Sequence, residues 1–582
     1  MRSRVLPISR TGLILTLTAS LIGGAVHAQN FVEQRAQYDA IRAKTIVELQ
    51  PFRKESLAVL ADGTTPVKLI SLNPTINTWF LLQIGEDGTR GQQNYHLENP
   101  DPYGQKLFLS EDNVPAIYLS GNFGDARCEP WAGAPSQLAT ARDQGLPYAP
   151  ICDGLLYLRN QSSGSKTTLE RTTDFLRDHV WKGEQVVRFV RDNFFKDSAL
   201  EISKVLAVDG TGQLADGPVP ALIDGAVEDR YVITALHGFA LQGTKPGQMT
   251  VGLWYPVVDM PDVFVSAIQP KAISSSILRG PGTTNGLDSV ESRATDYFVA
   301  FDLDKFELGY AVGTDHPGLG WSPRPPASMH VGGMPGPDGV NTMKPLVRLG
   351  MVNPTLTDRT IATFTAGFKR SHGAFKYGDY ASINFGMHYG FIEQGVVLSK
   401  LQPHLSTLYV LNDGTIDMKT WTEADNALLP EIKFARQNGV PLLELDPVTG
   451  LGVPGDRVTQ WGAGNWSGSA EADLRTLRAG ACVQESGGKR FLIYGYFSAA
   501  TPSVMARTFQ GYACDYAMLL DMNALEHTYL ALYVRRGGDV HIEHLIPGMS
   551  AVDKTASNGG LIPRFLGFPD NRDLFYLMRR EE

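Results

Sequence analysis

Short apolar runs bounded by Gly, Pro, Asn and Asp recur through the chain. Three of them, TWFLLQIG (Thr78 to Gly85), YVITALHGFAL (Tyr231 to Leu241) and MTVGLWYPV (Met249 to Val257), predict strands. Between the first and the second, Leu169, Phe175, Val180, Val186, Phe189 and Val190 return at roughly helical spacing and predict a helix over 168–195. The clearest local pattern lies near the C-terminus. TLRAGACVQES, the pair Gly487-Gly488 and KRFLIYGYF predict a hairpin, because Gly-Gly supplies the positive φ angles of a tight turn. Thr501 as N-cap and Pro502 in the first turn then open a helix through Val504, Met505, Phe509 and Tyr512. YAMLLDM returns as a strand, so residues 489–522 predict a βαβ unit with parallel strands and a right-handed crossover. That places Asp521 at the carboxyl end of a strand, the edge where α/β sheets bind ligands.

These elements predict an α+β (mixed α/β) fold, with a C-terminal mixed sheet containing the βαβ unit and a separate N-terminal α+β region. A chain of 582 residues exceeds one ordinary domain. RGPGTTNGLDS, near Leu278, is the best boundary, giving an N-terminal accessory domain over 29–280 and a second domain over 289–582. A second Gly/Pro-rich stretch runs from Gly318 to Gly339 and is long for a structureless loop inside a domain. The N-terminal half carries no chemical signature of its own.

Residues 1–28 read as a secretory signal peptide: Arg2, Arg4 and Arg10 precede an apolar run from Leu13 to Val26, and cleavage is expected after Ala28. That run is too short and too rich in Gly and Thr to span a bilayer, no Cys follows it to take a lipid, and no other run has spanning length. A periplasmic or secreted protein with no membrane span after cleavage is the expectation. Without those arginines, 49 basic residues face 61 acidic ones, which argues against a nucleic-acid partner. Cys128, Cys152, Cys482 and Cys514 form two sequence-local pairs in an exported chain and predict disulfides rather than a metal site. Of three connectivities, Cys128 with Cys152 and Cys482 with Cys514 is favoured.

HExxH, GxSxG, Walker and GxGxxG patterns are missing. His541 and His544 fall on opposite faces of a strand, which disfavours a metal pair. Three stretches carry candidate chemistry. TFTAGFKRSHGAFKYGDYASINFGMHYG (Thr363 to Gly390) crowds Lys369, Arg370, His372, Lys376, Asp379 and His388 among glycines, although a glycine-rich surface loop reads the same way. Arg436, Gln437 and Asn438 suit recognition of phosphate or carboxylate, and Trp461 and Trp466 suit stacking on a sugar. Asp521, followed by Asn523 and His527, is either a turn former or a working carboxylate.

Together these stretches resemble the phosphodiester glycosidase family. TAGF (Thr365 to Phe368) is similar to its early Asn-Gly-Gly-Phe signature, and NDGT (Asn412 to Thr415) to the following strand–turn element. AMLLDMN (Ala517 to Asn523) stands where the family has Leu-Asp-Gly-Gly-Gly-Ser, and RDLFYLMRR (Arg572 to Arg580) is similar to the tail of bacterial members. The resemblance covers roughly residues 289–582. Gly367, Phe368 and Asp521 match; Thr365, Ala366 and Met522 to Leu525 depart.

The resemblance implies an exported hydrolase of a glycosyl phosphodiester or a related cell-surface glycan linkage. Asp521 would be the base or nucleophile, Arg436 with Lys369 or Arg370 would neutralise phosphate, and His372 would assist the leaving oxygen. Gly367, Phe368, Gln437, Asn438, Trp461 or Trp466, Asn523 and His527 would line the substrate. It implies no certain cofactor and leaves a divalent cation open. Three rivals stand beside it. One is a sugar- or phosphosugar-binding protein without turnover. Another is a hydrolase of ordinary glycosidic bonds using Asp379, Glu393 or Asp515 as acid. The third is an envelope-assembly protein in which the N-terminal half does the work.

Overall fold

In the computed structural model the described residues are 43, 45–110, 114–122, 124–179, 186, 197–208, 217–225, 230–316, 340, 342–368, 389–459 and 474–581. Strand is the dominant element, at about 40% against 14% helix, so the fold is mixed but β-rich.

The central sheet has eight strands in the order Trp254–Val257, Met260–Ile268, Asp296–Asp302, Lys489–Ala500, Thr476–Ser486, Tyr516–Met522, Leu443–Leu445 and Gly452–Pro454. Every neighbouring pair is antiparallel, which corrects the expected mixed sheet. The predicted hairpin forms, with Gly487 and Gly488 both at positive φ. Thr501 caps the Pro502–Gly511 helix by accepting from the Val504 N–H. The strands flanking that helix run parallel, as expected, but the Thr476–Ser486 strand lies between them and pairs with both. Local patterning specifies each element; which strand fills the gap is settled by nonlocal pairing.

The sheet also crosses the expected boundary, since two of its strands precede residue 280. One core joins the central sheet to two five-stranded sheets. The first runs Phe306–Ala311, Leu574–Arg579, Thr360–Thr365, Leu530–Arg536 and Asp539–His544; the second is built around Ile432–Gln437 and Ser406–Leu411. A six-stranded N-terminal sheet, from Lys54–Val59 to Tyr148–Ile151, shares a second core with a three-stranded sheet, through Val67, Phe80, Leu97, Leu158 and Ile117, while its Ile70, Trp79 and Leu81 join the main core.

Both favoured disulfides are present, Cys128–Cys152 in the N-terminal core and Cys482–Cys514 between the hairpin and the helix exit. The strand expected over 231–241 is only Tyr231–Thr234, and that over 249–257 breaks at Gly252 (φ +70°) into Gln248–Thr250 and Trp254–Val257. The helix expected over 168–195 is described as Thr168–His179, with Leu169 and Phe175 exposed instead of facing a core. The stretch from Gly318 to Gly339 lies outside the described residues.

Candidate functional site

Asp521 is the penultimate residue of the Tyr516–Met522 strand and is buried. Its Oδ1 accepts the Met522 N–H at 2.9 Å, and its Oδ2 pairs with Nη1 of Arg572. Nη2 of the same guanidinium donates to Glu170 Oε1 at 3.1 Å and to His527 Nε2 at 2.8 Å. Because Nε2 of His527 receives a donor, the ring proton belongs on Nδ1, which lies 2.8 Å from the Met522 carbonyl. Asn571 Nδ2 adds a 2.8 Å bond to Glu170 Oε1. Burial works to discharge Arg572, but Asp521 and Glu170 outweigh it and hold the guanidinium charged. One cation thus carries a carboxylate on each side.

A second buried layer lies behind this one. Arg436 is fully buried; its Nε donates to Asp573 Oδ2 at 2.6 Å, its Nη2 to the Phe368 carbonyl at 2.8 Å, and its Nη1 to the Gln437 carbonyl. Tyr310 donates to the same Asp573 oxygen at 2.9 Å. Burial alone would raise Asp573; the Arg436 charge and these hydrogen bonds hold it below the usual carboxylate range. His316 stands 3.8 Å from Asp573 Oδ1, yet burial pushes its pKa down to about 4, so the ring is neutral at pH 7 and the cation opposite Asp573 is Arg436. Gly367 is needed here, because a Cβ at that position would come within 2.7 Å of Arg436 Nη2 and 2.8 Å of Asn438 Oδ1.

Several residues singled out in the sequence therefore converge. Asn438 accepts the Phe368 N–H at 3.0 Å and donates to the Leu519 and Leu520 carbonyls at 2.7 and 3.2 Å, and Thr365 Oγ1 donates to the His527 carbonyl at 2.6 Å. Asn438 of the Arg-Gln-Asn stretch thus bridges TAGF to AMLLDMN, and Thr365 ties TAGF to the turn that follows AMLLDMN. Their roles differ from the expected ones. Arg436 and Gln437 are wholly internal, and Gln437 bonds Gly390, Gln402 and Thr407. Arg436 is held by Asp573 and has no exposed surface, whereas the sequence reading has it neutralising a phosphate. Asn523 is a turn residue at φ +83°, accepting from Thr476 Oγ1 at 3.3 Å.

Lys369, Arg370, His372, Asp379, Trp461 and Trp466 lie outside the described residues. Of the other acid candidates, Glu393 faces Arg159 at 3.9 Å and the Val312 N–H at 2.8 Å, while Asp515 immediately precedes the strand on which Asp521 is penultimate. Six residue steps along the strand put Asp515 roughly 20 Å from Asp521. A cavity of about 540 Å³ lined by Asp417, Lys419, Glu444, Arg490, Asp515 and Tyr516 opens at that far end, away from Asp521.

Sequence reasoning missed Glu170, Asn571 and Asp573 and read Arg572 only as part of a tail. The available signal was the charge-dense DNRD, residues 570–573, directly before the apolar LFYLM strand. Among the described residues no three His, Cys, Asp or Glu side chains cluster as metal ligands. Asp521 faces a guanidinium, whose charge opposes a cation, so the described donor set does not fit a divalent ion.

No protein-family model matches the chain, and no curated protein does. Among solved structures, the zebrafish N-acetylglucosamine-1-phosphodiester alpha-N-acetylglucosaminidase catalytic domain, auto-inhibited by its pro-peptide, aligns over 67% of this chain and 99% of its own at 11% identity and a TM-score of 0.29. A putative exported protein of Burkholderia pseudomallei K96243 aligns over 91% of this chain and 98% of its own at 12% identity and a TM-score of 0.17. Both scores lie below the level at which a shared fold follows.

Proposed function

We propose that the protein is an exported hydrolase of a glycosyl phosphodiester or a related cell-surface glycan linkage. The observation that carries this reading is convergence: two separated stretches resembling phosphodiester glycosidase motifs, TAGF and AMLLDMN, are joined through Asn438 beside the strand end that bears Asp521. Export accords with the two disulfides and with the N-terminal residues read as a signal peptide.

Asp521 is assigned as general base or nucleophile at the anomeric carbon. Arg572 and the His527 ring orient it. A phosphate leaving group is a weak base, so the demand for a strong general acid relaxes relative to ordinary glycosides. Lys369, Arg370 and His372, which follow Phe368 in the chain, are assigned to the phosphate, and Trp461 or Trp466 to the sugar. Residues 289–582 carry the chemistry on this reading.

The test is release of reducing sugar from a panel of sugar-1-phosphodiesters and nucleotide sugars beside neutral glycosides, with and without chelator. Turnover of phosphodiesters that Asp521→Asn abolishes in a folded protein supports the assignment; turnover of neutral glycosides alone rejects it. A second reading, a sugar- or phosphosugar-binding protein, is favoured by one observation: Asp521 is 3% exposed and engaged by Arg572. Micromolar binding without turnover of any substrate selects it.

A further inference from the structure

We propose that Glu170, from the N-terminal half, is a positioning residue of the Asp521 site, acting by clamping Arg572 from the side opposite Asp521. The inference rests on the assignment of Asp521 as the reacting carboxylate. Glu170, in the first turn of the Thr168–His179 helix, is buried, whereas its neighbour Leu169 is 43% exposed. Burying a carboxylate costs several kcal/mol unless a cation and hydrogen bonds compensate, so the contact is built around the charge.

Three further contacts hold the approach to this turn. Ser165 bridges Asp570, its N–H donating to the Pro569 carbonyl at 3.0 Å. Thr167 Oγ1 accepts the Glu170 N–H at 3.1 Å and donates to Glu526 Oε1 at 2.8 Å. Gly164 lies so close that a Cβ there would meet the Asn571 N at 2.5 Å. The segment is keyed to the 569–571 backbone as well as to the Arg572 side chain.

The consequence is mechanical and electrostatic. Glu170 and His527 hold one terminal nitrogen of the guanidinium, which turns the other onto Asp521 Oδ2. Glu170 also shares the positive charge, so Arg572 is balanced between two carboxylates instead of closed on Asp521 alone. Asn571, bonded to the same Glu170 oxygen, keeps that carboxylate from turning away.

The experiment compares Glu170→Gln, Glu170→Asp and Asp521→Asn, singly and with Glu170→Gln combined with Asp521→Asn, in the full mature chain. On whichever sugar-1-phosphodiester the wild type turns over, Glu170→Gln is expected to lower kcat by roughly 10–100-fold, with KM within about threefold, the scale of a misplaced reacting group. Glu170→Asp should recover part of that loss. Unchanged kcat overturns the proposal, and so does a rise in kcat, which would make Glu170 an obstruction.

Melting temperature gives a readout independent of turnover. Asp521 and Glu170 are the nearest counter-charges of Arg572, with Glu526 and Asp570 beyond them, and each single variant also relieves the repulsion between the two carboxylates, so the double variant should lose more than the sum of the single losses. Additive losses overturn the shared clamp. Coupled losses with no turnover on any substrate leave the clamp standing and reject the hydrolase reading instead.

Discussion

Arg572→Met isolates the charge at the centre of the site. The side chain gives hydrogen bonds to Asp521, Glu170 and His527, and the two carboxylates that lose it are both buried. Carboxylates held by the two terminal nitrogens of one guanidinium stand roughly 5 Å apart, and at an effective dielectric of about 20 their repulsion is about 3 kcal/mol. Lost charge-assisted hydrogen bonds add to this, while the methionine returns some apolar contact, so the net destabilisation expected is roughly 3–5 kcal/mol. The assay is urea denaturation of wild type and variant at pH 8, followed by near-ultraviolet circular dichroism. A deficit below about 1 kcal/mol would refute the view that Arg572 neutralises a buried carboxylate pair.

Glu393 predicts a pH dependence of its own. Burial, opposed by Arg159 and by the Val312 N–H, raises its carboxyl from 4.5 to about 8. A raised acid stabilises the fold below the unfolded value and loses that contribution as pH rises through the folded value, a difference of about 3 kcal/mol between pH 4 and pH 7. Glu393→Gln should flatten the stability profile between pH 5 and pH 8, and a variant profile parallel to wild type would rule this out. Gly367→Ala forces a Cβ against Arg436 and Asn438 and should cost about 1–3 kcal/mol in denaturation, with loss of any turnover; full stability would mean that the cradle relaxes freely. Cys482→Ala with Cys514→Ala opens a crosslink spanning 32 residues, and by loop entropy should cost about 3–4 kcal/mol, read as a lower urea midpoint; an unchanged midpoint would show that the hydrogen-bonded strands alone hold that edge.

What was legible in the sequence was local. Gly487-Gly488, Thr501-Pro502 and the apolar run ending at Asp521 each carry their structural reason within a few residues. The sheet's antiparallel order was not legible, because the insertion of the Thr476–Ser486 strand between two parallel strands depends on pairing partners and not on periodicity. Arg436 reads in the sequence as a cation offered to a phosphate, and sequence cannot tell such a guanidinium from one closed on a buried Asp573, 137 residues away. Glu170 was hidden by its own helix, whose apolar positions suggest an inward face while a carboxylate takes the buried position.

The four residues from Asp570 to Asp573 explain why such distant pieces meet. Asp570 binds Arg564 through both oxygens at 2.8 and 3.0 Å, Asn571 reaches Glu170, Arg572 joins Glu170 to Asp521, and Asp573 closes on Arg436. Together these side chains reach four separate parts of the chain, and the strand that follows, Leu574–Arg579, runs between Phe306–Ala311 and Thr360–Thr365 inside its sheet. An error in register there would misplace all four contacts at once, because a one-residue slip turns every side chain to the opposite face. The fully buried apolar residues of that strand therefore do more than fill the core. They set the position from which Arg572 addresses Asp521, and the N-terminal half reaches the same point through Glu170. The candidate site is accordingly a property of the joined halves, and a fragment beginning near residue 289 would retain Asp521 and Arg572 while losing the carboxylate that holds the arginine in place.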